Sequence, residues 1–120
     1  TGRPKITRDE IIYRSLAILE EHRFEHPSVA ELALACGVSE RTLRTAFREY
    51  FGLGPSRFLQ LRQLHDVRRV LRSADPDHAS VSQIMADCGV WAFGRFASRY
   101  RHLFGELPSA TLHARASGLM

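Results

Sequence analysis

The sequence predicts an all-α fold of seven helices, arranged as two helix-turn-helix subdomains joined by a long linker helix. Apolar residues recur at helical spacing behind N-cap signatures, whereas sustained apolar–polar alternation and Asn-Gly or Asp-Gly hairpin signals are absent. A segment of the first half also returns, with its glycines and prolines, in the second half. The length of 120 residues suits one domain or two small lobes.

The first helix is predicted from Thr7, whose hydroxyl can form a capping box with Glu10, to about Glu21. Three residues at helical spacing form its apolar face: Ile12, Leu16 and Leu19. Ser28 and Glu31 repeat the capping box and open a short second helix. That helix ends near Cys36, just before Gly37.

Ser39 is expected to cap a third helix, which ends at Gly52 and Gly54. Its predicted apolar stripe is Leu43, Phe47 and Tyr50. Pro55 is suited to the first turn of a long fourth helix that runs to about Ser73. Five residues form the apolar seam of that helix: Phe58, Leu61, Leu64, Val67 and Leu71. At ~1.5 Å per residue its roughly 18 residues span about 27 Å.

Residues 74–78 form a polar, proline-containing break. Ser80 and Gln83 offer a third capping box for a helix that ends at Cys88 and Gly89. The sixth and seventh helices are predicted over about 91–104 and from about Pro108 to Arg115.

These elements divide the chain into five segments. We expect a linker remnant or tail at 1–7, a first subdomain at 8–54, the linker helix at 55–73, a second subdomain at 74–115 and a loose tail at 116–120.

The internal repeat is the most informative feature of the sequence. SVAELALACGV at 28–38 and SVSQIMADCGV at 80–90 share five of eleven residues. The likeness continues through four further pairs: Leu43 with Phe96, Phe47 with Tyr100, Gly52 with Gly105, and Pro55-Ser56 with Pro108-Ser109. Each copy predicts a short helix, a glycine turn and a longer helix, which is the layout of a helix-turn-helix. The glycine is useful because such a turn usually needs a positive φ.

The second helix of each unit, at about 39–51 and 91–104, is expected to lie in a DNA major groove. The net charge is +4, and Lys5 is the only lysine among the 17 basic residues. Arginine holds phosphate bidentately and also reads guanine. In the first unit we expect Arg41, Arg44 and Thr45 to contact bases, because Leu43, Ala46 and Phe47 face inward.

In the second unit, Phe96 and Tyr100 face inward, so Arg95 and Ser98 are the expected base contacts. Five arginines are expected to contact the DNA backbone: Arg48, Arg57, Arg62, Arg99 and Arg101. The Phe93-Gly94 pair either contacts a thymine methyl group or packs. Trp91 is expected to pack at the turn, the alternative being a contact with a DNA sugar.

Other chemistry has little support in the sequence. The two cysteines form no CxxC pair and are expected to be buried thiols. The six histidines are scattered, so we expect no enzyme, cofactor or metal. No signal peptide or membrane span is visible, which favours the cytoplasm. The alternative function is a helical protein-interaction module without specific DNA readout. Gly2-Arg3-Pro4-Lys5 resembles an AT-hook core, although a linker remnant is the favoured interpretation.

Three stretches resemble the C-terminal DNA-binding domain of the AraC/XylS transcription regulators: VAELALACGVSERTLRTAFREYFGLGPSRFL, LRQLHDVRRVLR and IMADCGV…GRFASRYRHLFGELPSATL. The resemblance covers about residues 8–115 and implies a homeodomain-like tandem repeat that binds promoter DNA in two adjacent grooves. It also implies an N-terminal sensing domain outside this chain, which begins at Thr1, and RNA polymerase as a partner if the protein is an activator. The endings GRF and YRHLFGELPSATL are most similar to the branch of ethanolamine-operon activators.

The resemblance also implies which positions contact bases. In the first unit these are Arg41, Arg44 and Thr45. In the second unit they are Phe93, Gly94, Arg95 and Ser98. Many family members have Ser, Pro or Gln where this chain has Trp91-Ala92-Phe93-Gly94, so the second unit is expected to be the weaker reader.

Overall fold

The computed structural model describes residues 6–23 and 25–117, with side chains described as far as residue 114. Over these residues the chain forms seven helices and no strand. They are α1 (Arg8–Glu21), α2 (Val29–Cys36), α3 (Glu40–Phe51), α4 (Pro55–Ser73), α5 (Val81–Asp87), α6 (Phe93–Phe104) and α7 (Pro108–Ser117). None of these described helices has the length and apolarity needed to cross a membrane.

The all-α prediction is therefore confirmed, and most predicted helix ends agree with the structure to within one or two residues. The sixth helix begins at Phe93 rather than 91, because Ala92 has non-helical backbone angles (φ −102°, ψ 88°) and supplies no side-chain cap. The last helix continues to Ser117. The AT-hook-like residues 2–5 and the last three residues of the predicted tail lie outside the described part of the chain.

The chain divides into two compact units, Thr1–Gln60 and Leu61–Met120, and the boundary falls within α4. In the first unit α1, α2, α3 and the start of α4 enclose one apolar core. Its fully buried side chains include Leu32, Leu43 and Phe47. Phe47, Phe51 and Phe58 form an aromatic cluster with ring centroids 4.6–5.4 Å apart, which fixes the first turns of α4 to this core.

The second unit has a separate core, formed by the rest of α4 with α5, α6 and α7. Its fully buried side chains include Leu64, Val67 and Tyr100. The Tyr100 hydroxyl donates a 2.7 Å hydrogen bond to Oγ1 of Thr111, and Thr111 in turn donates to Glu106. This chain of hydrogen bonds satisfies the polar atoms that burial of α6 would otherwise leave unpaired.

Two residues predicted for apolar stripes lie on the surface instead. Leu16 of α1 is 37% exposed and Tyr50 of α3 is 52% exposed. Ile11 and Ser15 take the buried positions of α1, because Ser15 donates 2.8 Å to the Ile11 carbonyl oxygen and lies 3.3 Å from Sγ of Cys36. A serine satisfied in this way is compatible with the core, and periodicity alone does not identify it.

The two turns have the same geometry, which confirms the predicted role of glycine. Gly37 and Gly89 have φ of 76° and 80°, a region that side chains with a Cβ disfavour. The amide of Val38 donates to the Ala33 carbonyl at 3.0 Å, and Val90 donates to Met85 at 2.9 Å.

Both cysteines are buried and free, as predicted. Burial, with Asp66 and Asp87 nearby, raises the pKa of the Cys88 thiol to about 11. Cys88 is therefore a protonated, apolar core residue near neutral pH rather than a reactive thiolate.

Truncation of Leu43 tests how strongly the first core depends on α3. Leu43 is 0% exposed, whereas Leu34 is 82% exposed. We expect Leu43→Ala to lower the free energy of unfolding by about 2–5 kcal/mol, because it removes buried methyl groups and leaves a cavity. The same change at Leu34 should alter it by less than about 0.5 kcal/mol. Urea unfolding followed by circular dichroism measures both; similar losses would contradict the described core.

Candidate nucleic-acid interface

Helix α3 separates an apolar face from a basic one. Ser39 caps it by accepting a 3.1 Å hydrogen bond from the Thr42 amide. Leu43, Ala46 and Phe47 are buried. The four residues predicted to contact DNA from this helix are all exposed: Arg41, Arg44, Thr45 and Arg48. Their spacing of i, i+3, i+4 and i+7 places them along one stripe of the helix.

Intramolecular contacts hold two of these side chains. Nη1 of Arg44 lies 3.6 Å from Oε1 of Glu40, one turn earlier. Because both side chains are about half exposed, this pair contributes little to stability and is easily exchanged. Oγ1 of Thr45 donates 3.1 Å to the Arg41 carbonyl oxygen. Its donor is thereby occupied, so Thr45 presents an acceptor lone pair and its methyl group.

A hollow of about 300 Å³ lies between α3 and the start of α1 in the first unit. Arg41 and Thr45 contribute to its lining, and so does Arg8. Arg8 lies outside the recognition helix, so the pattern of α3 does not predict it. Its place in the first turn of α1 is the one signal in the sequence, since helix N-termini are among the groups that contact the DNA backbone.

Helix α6 carries a stronger positive charge than α3. It contains Arg95, Arg99, Arg101 and His102 and no Asp or Glu, whereas α3 also contains two glutamates. Phe96 and Tyr100 are buried, as predicted. The predicted DNA contacts Arg95, Ser98, Arg99 and Arg101 are all exposed. The helix begins without an acidic residue in its first turn.

The prediction that Trp91 packs at the turn is wrong. Its side chain is 96% exposed, just before the first residue of α6. The physical reason is that Val90, one residue earlier, fills the apolar position under the turn and is 7% exposed. Because that position is already occupied, Trp91 lies on the surface.

The two arginines of α4 predicted to contact the DNA backbone lie on different units. Arg57 is exposed near the start of the helix, and its Nη1 lies 3.5 Å from Oε1 of Gln60. Arg62 belongs to the second unit and is half-buried.

Among the described residues, no group of three or more His, Cys, Asp and Glu is arranged to bind a metal ion.

Several known proteins are similar to this chain in sequence and in fold. A family model described as a helix-turn-helix domain matches residues 32–114. The chain is 35% identical over 102 residues to XylDLEGF operon transcriptional activator 1 of Pseudomonas putida, covering 85% of this chain and 31% of the activator. It is 34% identical over 109 residues to a probable thc operon regulatory protein of Rhodococcus erythropolis, covering 91% and 33%. The chain therefore spans about a third of the length of these relatives.

Solved structures of AraC-type proteins have a similar fold. An AraC-type transcriptional regulator from Chromobacterium violaceum superimposes with a TM-score of 0.78 at 28% identity, covering 90% of this chain and 94% of the other. The DNA-binding domain of AdpA, solved in complex with a target DNA, gives a TM-score of 0.78 at 25% identity, covering 89% and 94%. With its two glycine turns and its two exposed arginine-bearing helices, this chain belongs to the AraC/XylS family of helix-turn-helix DNA-binding domains.

Proposed function

We propose that this chain binds double-stranded promoter DNA sequence-specifically, with α3 and α6 each in a major groove. The amphipathic division of α3 is the observation that carries the proposal. Its apolar residues are buried, while Arg41, Arg44 and Thr45 are exposed on one side. A recognition helix needs this division, because one face must be fixed by the core while the other reaches base edges.

In the proposed complex Arg41 and Arg44 read guanine, whose O6 and N7 accept two hydrogen bonds from one guanidinium group. Arg44 exchanges its 3.6 Å contact with Glu40 for the base. Thr45, with its donor occupied by the Arg41 carbonyl, offers its methyl group to thymine or its lone pair to a base amino group.

In the second unit Arg95 and Ser98 are the proposed base contacts. Phosphate contacts come from five arginines: Arg48, Arg57, Arg62, Arg99 and Arg101. These contacts would fix the register of the domain on the duplex without reading sequence.

We also propose that α3 and α6 bind successive major grooves of one duplex. Each unit carries its own glycine turn and its own exposed arginine-bearing helix, which is what a domain that reads two half-sites requires. Half-sites read by paired helix-turn-helix units lie one helical repeat of DNA apart, roughly 34 Å.

The longer protein is proposed to be a transcriptional activator in the bacterial cytoplasm. The chain covers only 31% of the length of XylDLEGF operon transcriptional activator 1, and several relatives are named as activators. We propose that an effector-sensing domain precedes this one and that the DNA-bound protein contacts RNA polymerase. Membership of the branch of ethanolamine-operon activators stays a prediction.

Salt dependence tests the proposed DNA binding. A site selected from random DNA should bind more tightly than a scrambled duplex. Its affinity should fall by about 10²–10³ between 50 and 200 mM salt, because about five phosphate contacts release counterions. Fluorescence anisotropy with labelled duplexes measures both quantities. Weak, salt-insensitive binding with no preference for the selected site would favour the protein-interaction module instead.

Arg44→Ala tests base reading in the first unit. The variant should reduce discrimination between selected and scrambled DNA by about 1–3 kcal/mol, because it removes a bidentate contact. Arg48→Ala, on the same exposed stripe of α3, is the matched control and should weaken both duplexes alike. An unchanged ratio of the two affinities in Arg44→Ala would remove that residue from the base contacts.

Half-site spacing tests the arrangement in two grooves. An insertion of about five base pairs between the half-sites rotates one of them to the other face of the duplex. Affinity should fall to that of a single half-site if both units bind the same face of the duplex, as proposed. Unchanged affinity for the spaced site would show that one unit accounts for all of the binding.

A further inference from the structure

The beginning of α6 presents an apolar surface at the position from which a recognition helix reads bases. We call the residues Trp91, Ala92, Phe93 and Gly94 the apolar tip. All four are exposed, Trp91 by 96% and Phe93 by 37%. Two exposed aromatic side chains next to the first turn of a helix are costly in water, and a surface of this kind commonly marks a binding site.

The internal repeat shows what the apolar tip replaces. Leu43 is equivalent to Phe96 and Phe47 to Tyr100, so α3 and α6 align at an offset of 53 residues. At that offset Arg41 corresponds to Gly94 and Arg44 to Ala97. The second unit thus has no arginine at the two positions from which the first unit is proposed to read guanine, and Arg95 is its one long donor at the start of the helix.

The charge around the apolar tip favours DNA as its occupant. Helix α6 carries three arginines and no acidic residue, and its first turn contains none of the carboxylates that commonly stabilise a helix start. The negative charge of a DNA duplex is complementary to this surface, and the duplex also presents apolar groups. The 5-methyl group of thymine projects into the major groove and is the one apolar feature that distinguishes bases there.

We propose that the second unit reads thymine methyl groups through Phe93, while Trp91 packs on an adjacent deoxyribose. The inference rests on the proposed DNA binding and assigns the two units different chemistries. Arg41 and Arg44 select guanine by hydrogen bonds in one half-site, and the apolar tip adds selection of thymine by apolar contact to the contacts proposed for Arg95 and Ser98 in the other. Gly94 and the small Ala97 leave room for the helix to approach the bases closely.

Removal of thymine methyl groups is the direct test. The duplex is the site selected with this chain, and its thymines are replaced by deoxyuridine in one half-site at a time. The half-site of the first unit is identified with the Arg44→Ala variant: base changes in that half-site should no longer lower the affinity of this variant. In the other half-site, each contacted methyl group should contribute about fourfold to affinity, the change that corresponds to about 0.8 kcal/mol for one buried methylene-sized group.

Phe93→Ala provides the matched variant. It should bind the thymine and deoxyuridine duplexes equally, because the side chain that senses the methyl group is gone. Phe93→Leu, which keeps an apolar side chain, should retain part of the difference. Circular dichroism checks that α6 persists in both. The inference is overturned if the second half-site contains no thymine, if deoxyuridine has no effect on the wild-type chain, or if Phe93→Ala keeps the full difference.

Trp91 supplies an independent readout, since it is the only tryptophan of the chain. Its emission should change when the selected duplex saturates the protein, because the indole leaves water for the DNA backbone. Trp91→Ala should weaken selected and scrambled duplexes alike, as expected for a sugar contact. Unchanged emission at full saturation would overturn the role of Trp91. Absence of any binding would instead contradict the proposed function itself.

Discussion

The turn between the two helices of each unit is the constraint on which the rest of the structure depends. A left-handed glycine and the backbone hydrogen bonds of the turn, including Val38 to the Ala33 carbonyl and Val90 to the Met85 carbonyl, set the angle at which the second helix leaves the first. That angle decides which side of the second helix is covered by the core. Once that side is covered, the residues on the opposite side of the helix face solvent, where they are free to contact a ligand.

In each unit the helix before the glycine turn ends in a cysteine carbonyl, and the side chain that donates a hydrogen bond to this carbonyl differs between the two copies. Nη1 of Arg14 donates 3.2 Å to the Cys36 carbonyl oxygen in the first unit. Nε2 of Gln63 donates 3.1 Å to the equivalent carbonyl of Cys88 in the second. In each unit a polar side chain from the preceding helix satisfies a helix-end acceptor. The hydrogen bond is kept although the donor is an arginine in one unit and a glutamine in the other. The carbonyl oxygen needs a donor, and a charged side chain is not required.

The recognition helices differ more than their shared scaffold does. In α3 two glutamates accompany the arginines, and Glu40 lies beside Arg44, so the net positive charge of this helix is lower. In α6 the arginines have no acidic companion on the helix, and its beginning is apolar. A duplicated scaffold thus carries two surfaces of different chemistry.

The sequence by itself determined the helices, the duplication, both turns and the inward residues of the recognition helices apart from Tyr50, which lies on the surface. These features depend on local signals: caps, glycines at positive φ and apolar periodicity. Only the tertiary structure decided which of several apolar residues reach the core. Ser15 is buried and Leu16 exposed because a hydrogen bond inside α1 satisfies the serine. Trp91 is exposed because Val90 already fills the space beneath the turn. Competition for a limited core volume is a property of the packed chain, and no local pattern records its outcome.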